Sequence, residues 1–182
     1  MENMMDMAAT PPLHTPLTWI QFYEVINSPT TIMPGGLVPF SQDGVSYTNQ
    51  DSQYNNLYTL QRLDDHTFYF NFPPSYVFWT GRWRFTWQVP VSTAGQLCLQ
   101  FAPVNTPNQY TIWNPPALTG TSWGNCQIIG DTLIPFTNPY NRYTAMYFQI
   151  VNPTANNQSI ELISSGAGTE PLVASFIAQY LQ

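Results

Sequence analysis

The stretch Val77-Phe-Trp-Thr-Gly-Arg-Trp-Arg-Phe-Thr-Trp-Gln-Val89 alternates by twos. Its odd positions are Val77, Trp79, Gly81, Trp83, Phe85, Trp87 and Val89; the even ones after Phe78 are Thr80, Arg82, Arg84, Thr86 and Gln88. Successive side chains of a strand point to opposite faces, so this pattern predicts a strand with one apolar and one polar face. Such a strand is longer than usual, and Gly81 is the expected place for a bend or bulge.

Outward from this strand the same period recurs. Gln96-Leu-Cys-Leu-Gln-Phe101 puts Leu97, Leu99 and Phe101 on one side, and the short turn Ser92-Thr-Ala-Gly95 before it predicts a hairpin or close neighbours. Further strands are expected over 17–26, 67–72, 110–113, 126–134, 143–151 and 159–163. Together these make eight, separated by loops rich in Pro, Gly and Asn, which is the pattern of an all-β sandwich or barrel.

Residues 1–16 carry Pro11, Pro12 and Pro16 without periodicity and read as an extended N-terminal arm. Residues 17–168 form the domain, long enough to bury a core without staples. The C-terminal tail, 169–182, has a helical pattern: Thr169 can cap, Pro171 falls in the first turn, and Leu172, Val173, Phe176, Ile177, Tyr180 and Leu181 share one stripe. The same tail also suits simply covering its own sandwich, or continuing as a strand.

Ile134-Pro135-Phe136 closes an apolar run, and Pro139 follows four positions after Pro135. Proline lacks the N–H that a sheet ladder needs and fixes φ, so it belongs at a strand end or on an edge. The three residues therefore read as the rim of a sheet, followed by a stiff loop over 137–142.

Composition narrows the function. Charged residues make up 8% of the chain, far below the usual quarter; Asn, Gln, Ser and Thr carry the polarity instead. Neutral amides and hydroxyls are buried in a protein interface at lower desolvation cost than charges, provided they find partners, so the surface suits contact with other protein. There is no lysine, the four basic residues are Arg62, Arg82, Arg84 and Arg142, and the net charge is −6. That leaves no basic footprint for nucleic acid. The aromatic content of 15% argues for a folded core rather than disorder.

Catalytic and metal chemistry find little support. Gly120-Thr-Ser-Trp-Gly124 matches GxSxG, but prolines precede it, a strand follows, and His14 and His66 both come earlier in the chain. Asp64-Asp65-His66 alternates faces if extended, so turn chemistry is the expected role. Glu24, Glu161 and Glu170 are scattered carboxylates assigned to strand ends, loops and surface. Arg82 and Arg84 are expected to pair singly with a neighbouring subunit or a phosphate. Cys98 and Cys126 show no ligand spacing and read as small buried thiols in a reducing compartment. Asn157-Gln-Ser159 is a glycosylation sequon that such a compartment leaves unused. No run is long and apolar enough for a membrane span, and no cofactor motif is present.

Taken in order, the motifs resemble a known family. Phe78-Trp-Thr-Gly-Arg-Trp-Arg-Phe85 resembles the aromatic and Arg-Gly strand of picornavirus-like capsid proteins, and Gly95-Gln-Leu-Cys-Leu-Gln-Phe-Ala-Pro103 resembles the strand that follows it. Tyr110-Thr-Ile-Trp-Asn114 looks like the short strand after that, and Leu133-Ile-Pro-Phe-Thr-Asn-Pro-Tyr140 like the family's Ile-Pro-Tyr turn. Residues 143–151 and 159–166 look like its last two strands. The resemblance covers roughly 60–168. Thr80 stands where the family often has Arg, Phe136 replaces the usual Tyr, and the short chain points to a plant, invertebrate or algal virus.

The resemblance implies an eight-stranded antiparallel jelly-roll sandwich, acting as a structural subunit that packs with sister capsid subunits in an icosahedral virion assembled in the host cytoplasm. It implies no enzymatic role and no cofactor, and it names no receptor. Encapsidated RNA would be met weakly or indirectly. Ile134, Pro135, Phe136, Pro139, Tyr140 and Arg142 would contact neighbouring subunits, and Gln182 would be a polyprotein cleavage end. The alternative function is a carbohydrate-binding β-sandwich, with Trp113 and Trp123 stacking on sugars.

Overall fold

The computed structural model of the chain describes residues 18–25, 28–48, 60–71, 80–103, 111–112, 126–137, 145–163 and 172–181. Twelve strands are formed by these residues: β1 (Thr18–Val25), β2 (Thr30–Ile32), β3 (Gln42–Thr48), β4 (Leu60–Arg62), β5 (Phe68–Asn71) and β6 (Thr80–Val91) come first. β7 (Cys98–Pro103), β8 (Thr111–Ile112), β9 (Cys126–Thr137), β10 (Ala145–Val151), β11 (Ile160–Leu162) and β12 (Leu172–Leu181) follow. A single 3-10 turn, Thr154–Asn156, interrupts the described strands.

Two antiparallel sheets result. In the first, β9, β6, β12, β1 and β3 lie side by side, and the short β11 and β2 continue from the end of β6 through Leu162 opposite Val91. In the second the order is β4-β5-β10-β7-β8. Eight of these strands form a nested series: β1 pairs β12, β5 pairs β10, β6 pairs β9 and β7 pairs β8. A long hairpin rolled so that each successive pair falls in the alternate sheet is a jelly roll. Strand order alone therefore gives the architecture, with β2, β3, β4 and β11 added at its margins.

The core sits between the sheets and follows the alternation of β6: Trp83, Phe85, Trp87 and Val89 are buried, while Arg84 and Gln88 are exposed. Phe22, Phe85 and Phe176 enter from the first sheet, Phe68 and Phe148 from the second, and Phe40 from the segment that joins β2 to β3. Phe68 and Phe176 stack with centroids 4.3 Å apart, Phe22 lies 4.7 Å from Phe68, and Phe85 lies 5.0 Å from Phe148. Such pairs add about 0.5–1.5 kcal/mol beyond the area they bury.

Buried amides are used as the composition suggested. Asn152 is wholly buried; its Nδ2 donates to the carbonyls of Ile32 (3.0 Å) and Gln158 (2.9 Å), and its Oδ1 accepts from Asn156 Nδ2 at 2.8 Å. Its backbone exchanges hydrogen bonds with Gly35 and Gly36, so one neutral residue ties β2, β10 and the 3-10 turn together without the cost of a buried charge.

Four expectations from the sequence are corrected. The tail is a strand: β12 runs between β1 and β6 and supplies Phe176 to the core. Its alternation of Ala174, Phe176 and Ala178 inward against Ser175, Ile177 and Gln179 outward was masked by the apolar outward Ile177, which also completes a helical stripe. The eighth strand of the roll is thus β12, and the region expected to hold the last strand contributes only the three-residue β11. β6 and β7 do not form a hairpin, since they lie in different sheets. Gly81 makes no bulge: pairing runs unbroken from Thr80 opposite Thr137 to Val91 opposite Cys126. The irregularities fall in β1 instead, between Ile20 and Phe22 and between Glu24 and Val25.

Because β12 separates two strands of the roll, deleting residues 172–182 is expected to abolish cooperative unfolding and near-UV dichroism; a folded, cooperative truncated domain would contradict this placement. Gly130 is a second test. A Cβ there would lie 1.9 Å from the ring of Trp87, so Gly130→Ala should cost about 3 kcal/mol through overpacking, read as a lower urea midpoint.

Candidate assembly surface

Of the residues expected at subunit contacts, Ile134, Pro135 and Phe136 fall within β9, opposite Trp83, Arg82 and Gly81. Pro139, Tyr140 and Arg142 lie outside the described residues, as do Gln182, Trp113, Trp123, the 1–16 arm and the GxSxG stretch. The proline reading was right about the edge and, to within a residue, about the end. β9 closes at Thr137, one residue past Phe136, and among the described strands it pairs only with β6. An edge strand has one side on which a missing N–H costs nothing.

The outer face of the first sheet can be read off its register in rungs. Leu133, Arg84, Gln179 and Trp19 lie abreast; Asp131, Thr86, Ile177 and Gln21 form the next rung; Ile129, Gln88, Ser175 and Tyr23 the third. Amides, hydroxyls, aromatics and aliphatics dominate, and the two charges in these rungs are Arg84 and Asp131. They are paired to each other: Arg84 Nε donates to Asp131 Oδ1 at 3.0 Å and Nη2 to Oδ2 at 2.5 Å. Arg84 is therefore engaged within its own chain, not held free for a phosphate or a neighbour as expected. The side chain of Arg82 lies outside the described set.

A second diagonal link repeats the device, as Gln88 Nε2 donates to Gln127 Oε1 at 2.5 Å. The polar outer side chains of β9 thus turn inward onto β6. What remains on the strand is apolar: Ile129 is 56% exposed and Leu133 47%. The chain has no lysine to guard such an edge.

The opposite outer face differs. On the second sheet Gln149 donates to Thr67 Oγ1 at 3.0 Å and accepts from Gln100 Nε2 at 2.8 Å, and this amide ladder is buried, with Gln149 only 7% exposed. Cys98 and Ala102, on the same face, are buried too. Burial pushes the Cys98 thiol above its ordinary pKa, which suits the inert thiol read from the sequence.

The remaining candidates resolve locally. Asp64 Oδ1 accepts from the His66 N–H at 2.8 Å, and Asp65 binds Arg62, which also donates to Asp43 at 2.8 Å. The turn reading of 64–66 therefore holds, and among the described residues no group of three or more metal-ligating side chains converges. Glu24 lies at the end of β1, one of the places read for it, but is buried there and accepts from the Ser41 N–H at 2.7 Å. Glu161 accepts from the Ser92 hydroxyl and from no catalytic partner among the described residues. Asn157, the sequon residue, is exposed with φ at 50°. Among the described residues no helix is long and apolar enough to cross a membrane.

Hydrogen bonding and attraction from Asp131 hold the Arg84 guanidinium above its ordinary pKa. A raised folded-state value gives stability that is fully present below the unfolded value and lost only in strong alkali. Arg84 therefore adds no pH dependence across the neutral range. As both partners are half-exposed, Arg84→Met should lower stability by no more than about 1 kcal/mol, measured by urea unfolding; a loss several-fold larger would show the pair to be structural.

No protein-family model matches the chain, and no curated protein does. Among solved structures the chain is similar to the PRD1 vertex protein P5, at 11% identity and a TM-score of 0.46, over 92% of this chain and 99% of that one. The assignment of the fold rests on the strand pairing described above.

Proposed function

We propose that the chain is a structural subunit of a non-enveloped icosahedral viral shell that packs beside sister jelly-roll subunits to enclose a genome. The observation that carries this reading is the outer face of the first sheet. It is broad, nearly free of charge, and ends in an edge strand with exposed Ile129 and Leu133. Neutral amides and apolar side chains can be desolvated against another protein at little cost, whereas a monomer designed for solubility carries mixed charge on such a surface.

The motif order supports a finer form of the reading, in which the shell is picornavirus-like and encloses single-stranded RNA. In that form the subunit assembles in the host cytoplasm and resides in the virion. It has no enzymatic role and takes no cofactor. Arg84 is occupied by Asp131 and lysine is absent, so neutralisation of RNA falls to sister subunits or bound cations.

Co-expression with the neighbouring segments of its natural reading frame, followed by sedimentation and electron microscopy, tests the proposal. Closed isometric particles containing the chain are expected. A homogeneous small species that never assembles with those neighbours, and binds glycans on an array, would overturn it in favour of the carbohydrate-binding sandwich.

A further inference from the structure

We infer that β9 is a self-pairing edge, and that two copies of the chain join β9 to β9 antiparallel across a two-fold axis to make one continuous sheet. The inference concerns the partner of a single edge and stands on the geometry of β9 alone, whether or not a shell forms.

Three observations carry it. First, β9 is twelve residues long and straight in its pairing with β6, so roughly 40 Å of backbone has no partner on its other side among the described strands. Unpaired N–H and C=O groups in such a row are a template for another strand. Second, apart from Pro135 near the end of β9, which removes one N–H from the row, the features that usually blunt an edge are missing. There is no lysine, β9 shows no bulge in its register with β6, and its one carboxylate, Asp131, is drawn onto Arg84 of the strand behind.

Third, the strand is complementary to itself. Two outward side chains, Ile129 and Leu133, flank Asp131 symmetrically. An antiparallel copy centred on residue 131 sets each Ile129 opposite the other copy's Leu133, while keeping outward residues on one face of the joined sheet, as the period of two requires. Cross-strand aliphatic pairs of this kind are favourable. The same register opposes the two Asp131 carboxylates. Each is already neutralised by its own Arg84, so the four central charges sum to zero. A partner of other sequence would need to match this spacing; a second copy does so by symmetry.

The test uses the full chain carrying Cys126→Ser, so that Cys98, which is buried, is the only native thiol left. Ile129→Cys and Leu133→Cys are made separately and mixed under mild oxidation. Directly opposed residues in an antiparallel pair have Cα atoms about 4.5–5.5 Å apart, within disulfide reach. By contrast, each substituted position lies about 13 Å from its own symmetry mate. The mixture is expected to give a cross-linked dimer and either variant alone to give none. In parallel, Leu133→Lys, at an exposed position, should shift the sedimenting species from dimer to monomer with an unchanged circular dichroism spectrum.

Two outcomes would overturn the inference: no cross-link in the mixture above that of either variant alone, or a native chain that sediments as a monomer at all concentrations. Cross-linking that fails while large assemblies still form would assign the edge to a different chain, which also overturns it.

Discussion

Phe176, stacked against Phe68 at the centre of the sandwich, is the contact on which the rest of the architecture depends. It comes from the last strand in the chain and meets a residue more than a hundred positions earlier. Around it Phe22, Phe40 and Phe85 close within 5.8–6.5 Å of Phe176. For that ring to be there, β12 must lie between β1 and β6, which in turn leaves β9 on the far side of β6 as an edge. The assembly surface is thus a consequence of the core: burying the apolar face of β12 inside fixes which strand is left outside.

The same logic explains the division of labour among polar groups. Charges are few, and Arg84 of β6 and Asp131 of β9 neutralise one another locally. Amides take the sheltered positions: Asn152 ties β2 to the end of β10, and the Gln100, Gln149 and Thr67 ladder runs across the second sheet. A neutral amide that finds its partners stabilises modestly, by about 1 kcal/mol per bond, and avoids the several-kcal penalty of a buried ion. With interior amides paired off in this way, the exposed face of the first sheet is left to aromatic, aliphatic and uncharged polar side chains.

Much of this was legible in the chain because a strand's period of two is a strong local signal when one face is buried. β6 was readable from Trp83, Phe85 and Trp87 against Arg84 and Gln88, and β1, β5, β7, β8, β9, β10 and β11 from similar runs. β2 and β4 were missed because three residues are too few to show a period, and β3 because Gly44 and the exposed Val45 break its alternation. β12 was ambiguous for a specific reason: outward Ile177 beside inward Phe176 satisfies a helical stripe as well as a strand, and only the pairing of Gln21 with Ile177 and of Ile177 with Thr86 decides between them. The edge character of β9 was announced by Pro135, whereas the pairing of Arg84 with Asp131 joins positions 47 apart and leaves no local signature.

Hydrogen exchange of the backbone, followed by mass spectrometry in the free and the assembled chain, tests this account most directly. β12 amides are predicted to exchange only through global unfolding in both states, while the outward amides of 126–137 exchange readily in the free chain and become protected on assembly. Fast exchange across 172–181, as a frayed tail would show, or 126–137 amides unchanged by assembly, would contradict it.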